Sequence, residues 1–351
     1  MSPMTREQLL QKTETERILS GLNLSGLDLS GARLADLIFE DCSFAGCQMN
    51  RVDLSGSSFK NCIFSDASMN SALFVKANLQ NACLAGVDMT GADLSEALLE
   101  MADLTGANLS GATLDQAECD GIRLGRANLS GASLKMATLD SADLSGADLT
   151  RADLSGADME RCSLKGSIFN ATICTKTFFD GCSLNNQKFP GCNLVMAHFE
   201  GADLSSADLG GADITQAGFE SAILVNANFK GVNAEAVRFE KAMASGAAFS
   251  KATLPFADFS GALLDRSDFS QAELKNSRFT EASCKGATFA GADLYCADLS
   301  HCDFTGCNLS SASLHLALLH GARREGANWT GARIETARQN DPDLLEAENW
   351  R

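Results

Sequence analysis

Hydrophobic side chains recur at every fifth residue of this chain, in one register that runs from Leu24 to Ile334 without an inserted or deleted residue. The residue at these central positions is Leu, Phe, Met or Ile in nearly every repeat. The residue two places before it is usually Ala, and the residue two places after it is usually Gly. Neither an α-helix nor a plain strand repeats in five residues. Short extended segments joined by regular turns do fit this period, so the pattern predicts a β-solenoid.

Side chains alternate between the two faces of an extended segment. The central residue and the residue two places before it therefore point inward, while the residues on either side of the central one point outward. The fifth residue has to turn the chain, and we call it the corner residue. Glycine suits a tight turn best, and 27 of the 30 glycines occupy this corner position. Central positions hold 18 of the 20 phenylalanines, which indicates an aromatic core.

The repeat has its most regular form in Ala142–Gly146 and in Ala152–Gly156, which both read Ala-Asp-Leu-Ser-Gly. These units resemble those of the pentapeptide-repeat family, and the resemblance covers about nine-tenths of the chain. It implies an all-β fold, a right-handed quadrilateral β-helix with four repeats in each coil. On that basis residues 22–336 form about 16 coils, stacked ~4.8 Å apart in one continuous rod.

The two ends of the chain depart from the repeat. Residues 5–19 predict a short helix, so residues 1–21 are expected to cap the first coil. Residues 337–351 are too short for a further domain and are expected to form a C-terminal cap or tail. The apolar residues with which this tail is expected to fold back are Leu344, Leu345 and Trp350.

The repeat is least regular in residues 167–192. Ser, Thr and Gln replace the inward Ala there, and Pro190 removes a backbone donor from the ladder. The sequence leaves two interpretations open, a kink or bulge at this point and a slightly wider coil.

The 13 cysteines do not indicate a disulfide framework. Eleven of them, among them Cys42 and Cys284, occupy inward positions, where cysteine acts as a small apolar residue. There is no Cys-x-x-Cys pair. The pattern favours a reducing, cytoplasmic setting and predicts no metal site. We also find no apolar run long enough to cross a membrane and no secretory leader.

The sequence contains no recognisable catalytic constellation. The four histidines are expected to be solvated, although His301 and His320 could approach each other on adjacent coils. Ser and Asp are abundant because the repeat requires them, and the periodic glycines form no phosphate-binding loop. A net charge of −17 opposes binding to a nucleic acid. We therefore expect a protein that is not an enzyme, binds no cofactor and contacts neither nucleic acid nor membrane.

One outer face carries most of the negative charge. With 20 residues per coil, the face centred on Phe39 and Phe59 carries 15 acidic and 5 basic residues. The residue after the central one is acidic on eight consecutive coils of this face, although the family prefers Ser or Thr there. We call these residues the acidic column: Glu100, Asp120, Asp140, Glu160, Asp180, Glu200, Glu220 and Glu240.

The acidic column has two interpretations. Like charges ~4.8 Å apart repel each other and should raise some of the carboxylate pKa values. The column either docks a partner with a basic surface or only keeps the protein soluble. Outward apolar residues form a second candidate surface, the apolar patch of Ile223, Met243 and Leu263. It fits a homodimer contact, a protein partner or harmless exposure.

Two function classes remain open. The resemblance implies, first, a DNA mimic, because well-characterised family members bind type II topoisomerase (DNA gyrase) and protect it from quinolones. The second class is a rigid scaffold or adaptor for protein partners. Glu7–Leu10 and Leu22–Gly31 resemble family members encoded with type VI secretion systems. We favour the scaffold, because one charge per ~4.8 Å is sparse beside the phosphates of duplex DNA.

Overall fold

The computed structural model describes residues 4–348, without the side chains of residues 344 and 345. It comprises two compact units, Met1–Phe178 and Phe179–Arg351. The named elements are α1 (Arg6–Thr13), β1 (Ile18–Ser20), β2 (Ile38–Glu40), β3 (Ser58–Lys60) and α2 (Pro342–Glu348). The C-terminal cap predicted through Leu344, Leu345 and Trp350 lies outside the described residues, and the single continuous rod stays a prediction.

The coils stack in parallel, with each residue opposite the one 20 places later. In unit 1 the sheet order is β1-β2-β3, and Leu19, Phe39 and Phe59 face one another. Beyond β3 the repeats pair through single parallel bridges at the same spacing, for example between Ser183 and Asp203 in unit 2. Four repeats therefore make one coil, and the predicted all-β solenoid is confirmed.

The corner residue is the one that turns the chain. At Gly146 its φ is +71°, and the amide of Ala147 donates to the carbonyl of Leu144 at 2.9 Å, which closes the turn. A positive φ at the third residue of a turn favours glycine. The 27 glycines with positive φ all lie at corners, as predicted. Residues such as Asn61 and Arg151 adopt the same φ range, so the coil imposes the corner even without glycine.

Corner glycines can be tested in matched pairs. A Cβ atom added at Gly106 meets nothing within 4 Å, whereas one at Gly121 would lie 2.5 Å from the Met101 sulfur. We expect Gly106→Ala to lower the free energy of unfolding by about 1 kcal/mol through backbone strain, and Gly121→Ala to lower it further. Urea denaturation measures both. The additional loss at Gly121 should vanish when Met101 is also replaced by Ala. Equal losses of unfolding free energy at the two glycines would contradict a clash with the Met101 side chain.

The core of unit 2 is a stack of phenylalanine rings. Phe219 stacks between Phe199 and Phe239, with ring centroids 4.9 and 5.1 Å apart. Phe229, from the opposite side of the coil, meets Phe219 edge-on at 5.6 Å. Both arrangements are favourable aromatic geometries, and all four rings are fully buried. The predicted aromatic core is therefore confirmed within this unit.

The cysteines behave as predicted from their positions. The 11 at inward positions are buried. Burial raises the pKa of the Cys119 thiol, which keeps it protonated and unreactive. Cys83 is exposed and Cys296 is partly exposed.

The prediction of a helix over residues 5–19 was wrong in extent. The α1 helix begins after the N-cap Thr5 and ends at Thr13, and residues 18–20 are strand β1. Leu19 is fully buried because it occupies a central position, five residues before Leu24, so the repeat starts one unit earlier than expected. The Arg6 guanidinium donates to the carbonyls of Asp28 and Ser30, both at 3.1 Å, and so ties α1 to the first coils.

The irregular middle segment contains the boundary between the two units, after Phe178. On the unit 1 side the inward polar residues Thr172 and Thr177 are fully buried. Their hydroxyls donate to the carbonyls of Leu149 and Leu154 at 2.9 and 2.7 Å, so the core accepts them without unpaired groups. No helix within residues 4–348 has the length and apolar character that a membrane span requires.

Candidate docking surface

The acidic column follows from the register of the coils. In unit 1 the amide of each corner residue donates to the carbonyl of the next column residue, for example from Gly121 to Asp140 at 2.8 Å and from Ser141 to Glu160 at 2.9 Å. Unit 2 repeats this from Gly201 to Glu220 at 3.1 Å. Column residues on successive coils are therefore neighbours within each unit. Those of unit 1 are Glu100, Asp120, Asp140 and Glu160, and those of unit 2 are Asp180, Glu200, Glu220 and Glu240.

Few basic residues neutralise the column. Arg161 Nε donates to Asp140 Oδ1 at 2.8 Å, and Arg238 Nε lies 2.7 Å from Glu220 Oε1. The other six column carboxylates form no salt bridge with any residue of the described part of the chain. Some acidic residues elsewhere find a partner on the adjacent coil, as Asp103 does with Arg123 at 3.1 Å, whereas others, such as Asp143 and Asp213, form no salt bridge within residues 4–348 either.

Two column oxygens are buried without a hydrogen-bond partner among residues 4–348. Glu100 uses Oε1 to accept from Gln80 Nε2 at 2.8 Å, but its Oε2 has no donor. Glu240 Oε2 is likewise buried without a donor. A buried acceptor without a donor is destabilising, so the placement of each of these carboxylates costs the fold stability.

The pKa values of two column carboxyls in unit 2 are raised, as predicted. Burial is the main cause for both Asp180 and Glu240, and neighbouring negative charges add to it. The amide of Glu200 and the charge of His198 act in the opposite direction on Asp180. The sequence predicts repulsion along the column as the main cause of the raised pKa values. That was wrong, because loss of solvent on burial is the largest cause and repulsion is a smaller one.

These raised pKa values imply a stability that depends on pH. A carboxyl group with a higher pKa in the folded state binds its proton more tightly there, so stability falls as pH rises from its unfolded pKa to its folded pKa. Glu240→Gln should therefore raise the free energy of unfolding at pH 7, and the gain should shrink towards pH 4. Urea denaturation at several pH values measures this. Glu235→Gln, which is exposed and off the column, is the control; an equal gain there would contradict the assignment.

The apolar patch lies on unit 2 as predicted. Ile223 pairs with Met243, and Met243 pairs with Leu263, through parallel bridges. Met243 and Leu263 are 45% and 46% exposed, whereas Ile223 is half-buried. The patch is therefore contiguous and partly solvated.

The expectation of solvated histidines was wrong at the C-terminal end. His320 is buried, and its ring meets that of His301 edge-on at 5.2 Å. Both rings contact Glu348 of α2. The repeat predicts that the two histidines are neighbours. It does not predict the contact with Glu348, because α2 follows the last repeat and lies outside the five-residue period.

Sequence models of two related families match the chain. "Pentapeptide repeat region" matches residues 32–114 and 212–289. "Pentapeptide repeats (8 copies)" matches six stretches that together cover more than half of the chain: residues 107–146, 147–186, 188–220, 272–310, 282–321 and 297–335. No curated protein matches the sequence.

Solved structures of repeat proteins resemble the chain weakly. HetL, a pentapeptide repeat protein involved in heterocyst differentiation regulation in Nostoc sp. strain PCC 7120, is 24% identical over 95% of this chain and 96% of its own, with a TM-score of 0.17. QnrB1, a plasmid-mediated fluoroquinolone resistance protein, is 21% identical over 62% of this chain and 94% of its own, with a TM-score of 0.34. A pentapeptide repeat protein of the Arabidopsis thaliana thylakoid lumen is 33% identical over 26% of this chain and 69% of its own, with a TM-score of 0.17. At such TM-scores, none of these likenesses bears on function.

Proposed function

The chain belongs to the pentapeptide-repeat family, and we propose that it is a non-enzymatic scaffold that binds protein partners through its outer faces. The acidic column is the principal docking surface, and its partner presents a basic surface. One observation carries this proposal: eight consecutive coils place an acidic residue at this position, and within residues 4–348 only Asp140 and Glu220 of the eight form a salt bridge.

The energetics of the column favour a role outside the chain. Neighbouring like charges ~4.8 Å apart repel by about 1 kcal/mol before salt screening, even in water. The unpaired buried oxygens of Glu100 and Glu240 add a desolvation penalty. Ser or Thr would avoid both penalties at this repeat position. A lysine or arginine of a partner would offset the repulsion by pairing with the exposed carboxylates of the column.

The periodic Ser and Asp side chains support a structural role over a catalytic one. Asp143 Oδ1 accepts the amide of Ser145 at 2.9 Å, and Asp153 Oδ1 accepts the amide of Ser155 at 3.0 Å. These short-range bonds stabilise the turns, so the abundance of both residue types follows from the coil. Thiols such as Cys42, Cys119 and Cys307, which form no disulfide, fit the reducing, cytoplasmic setting that we include in the proposal.

A pull-down with two matched variants tests the docking surface. The first variant neutralises column residues that have no salt bridge: Asp120→Asn, Glu160→Gln and Glu200→Gln. The control neutralises exposed acids on other faces: Asp66→Asn, Glu235→Gln and Glu325→Gln. Both variants lose three charges, so they change the long-range attraction equally. We expect the column variant to be at least as stable as the native protein and to lose its partner.

The control variant should retain the partner, because its column is intact. If both variants capture the same proteins as the native chain, the column is only a solubility device and the apolar patch becomes the next surface to test. Pull-down from the native cell also decides whether the partner belongs to a type VI secretion system. The N-terminal resemblance is the reason to look there.

DNA mimicry of the kind that targets type II topoisomerase is the second candidate. The aligned carboxylates within each unit favour it, but their charge density is low beside about one charge per 1.7 Å for duplex DNA. We therefore expect the purified protein to leave DNA gyrase supercoiling and quinolone-induced cleavage unchanged. Inhibition or protection at micromolar protein that weakens steeply with salt would support mimicry over the scaffold.

A further inference from the structure

Two histidines and one glutamate converge where α2 meets the last coils of unit 2. His301 is a corner residue with φ of +58°, and His320 precedes the corner of the next coil. The parallel register therefore brings their rings to one edge of the solenoid. Glu348 of α2 completes the group, with Oε1 3.3 Å from His301 Nε2 and Oε2 3.3 Å from His320 Nε2.

We infer that His301, His320 and Glu348 form a binding site for a divalent transition-metal ion of the zinc type. One ligand atom from each residue lies within 4.8 Å of the other two. Zinc bonds of about 2.0–2.1 Å in a tetrahedron place the ligand atoms about 3.3–3.4 Å apart. Each imidazole nitrogen lies about that edge length from one oxygen of the Glu348 carboxylate, His301 from Oε1 and His320 from Oε2. Both separations are long for charge-assisted hydrogen bonds.

The ligand set also defines the class of ion. Two imidazoles and a carboxylate suit Zn²⁺, Co²⁺, Ni²⁺ or Cu²⁺, whereas Mg²⁺ and Ca²⁺ prefer oxygen ligands alone. The side chains of His301 and Glu348 are 37% and 36% exposed, so an ion can enter from solvent. Three protein ligands leave a fourth position for water.

Metal binding would change one hydrogen bond of the site. The amide of Asp341 donates to His320 Nδ1 at 3.1 Å, so the neutral ring carries its proton on Nε2, facing Glu348. A metal ion at Nε2 would require that proton to move to Nδ1, and the Asp341 amide would have to turn away. This change would lower the affinity of the site for the metal. It would also shift the NMR resonance of the Asp341 amide, which gives a second readout of metal binding.

The consequence for the chain is a metal-dependent lock on its C-terminal helix. Two of the ligands belong to the coils and the third belongs to α2, so the ion would tie the helix to the solenoid. An ion that binds only the folded site stabilises it by mass action. The inference does not depend on the acidic column, and the two can fail separately.

Titration of the reduced, full-length protein with Co²⁺ tests this site. We expect one equivalent to bind with the visible bands of a tetrahedral site and without the charge-transfer band that thiolate ligands produce. Glu348→Gln should weaken binding by about tenfold or more, because it removes a charged ligand. Glu346→Gln, on the same helix, should leave the affinity unchanged.

A second pair of variants acts without removing a ligand. The His301 ring lies against Gly321, so a methyl group at residue 321 would overlap the ring and displace it. Gly306 has a similar φ, +69° against +65°, and an added Cβ there meets nothing within 4 Å. Both Gly→Ala variants carry the same backbone strain, but only Gly321→Ala should lose the metal.

Three results would overturn the inference. The first is a thiolate band, which would place the ion on the cysteines. The second is equal affinity in all variants, which would mean adventitious binding to surface carboxylates. The third is no binding at millimolar metal, which would leave the three residues as a hydrogen-bonded contact only.

Discussion

Insertion of one alanine after Gly146 is expected to remove the native structure of the coils that follow it in unit 1. The turn there closes through the bond from the Ala147 amide to the Leu144 carbonyl, and Asp148 pairs with Ile168 on the next coil. An extra residue shifts the spacing between coils from 20 to 21 and turns the inward side chains towards solvent. We expect a loss of about 4–5 kcal/mol or more in the free energy of unfolding.

Circular dichroism and thermal melting measure this effect. The control is the same insertion after Glu14, in the link between α1 and β1, where no coil register is interrupted. That variant should melt close to the native protein. An insertion after Gly146 that leaves a β-rich, soluble protein with unchanged melting would contradict the stacked register.

Phe219→Ala is expected to lower the free energy of unfolding by about 3–5 kcal/mol. The ring is fully buried between Phe199 and Phe239, and its neighbours are fixed by their own places in the stack. They cannot collapse into the space that the ring leaves, so most of the cavity would persist. Chemical denaturation of the purified variant gives the value.

Ser145→Ala is the outward counterpart of this core substitution. The Ser145 hydroxyl lies 2.8 Å from that of Ser163 at an exposed site, where water replaces the lost bond. The change should stay within about 0.5 kcal/mol. Comparable losses for the two variants would mean that the inward and outward positions have been confused.

The sequence predicts the solenoid well because its contacts follow from one local rule. Once residues 20 apart are neighbours, the Phe219 stack, the left-handed corners and the acidic column all follow from their place in the repeat. The prediction fails where the residues of a repeat depart from the usual pattern. The sequence predicts a helix through Ile18–Ser20 because Arg17 stands at the position of the usual Ala, although Leu19 holds a central position.

Features outside the repeat could not be predicted. His320 and Glu348 are 28 residues apart and meet only because α2 folds back after the last coil. The repeat has no register that places this helix. The dominance of burial in the pKa of Asp180 and Glu240 was also hidden, because the sequence shows the charge of each neighbour but not how much solvent each carboxylate loses.

The dependence of partner association on ionic strength tests the central claim most directly. With a captured partner, association rates of the native protein and of the column variant are measured over a series of salt concentrations. A basic surface that docks on the column should associate more slowly as salt rises, and the column variant should lose most of that dependence. Identical salt dependence in the native protein and the column variant would contradict docking through the column.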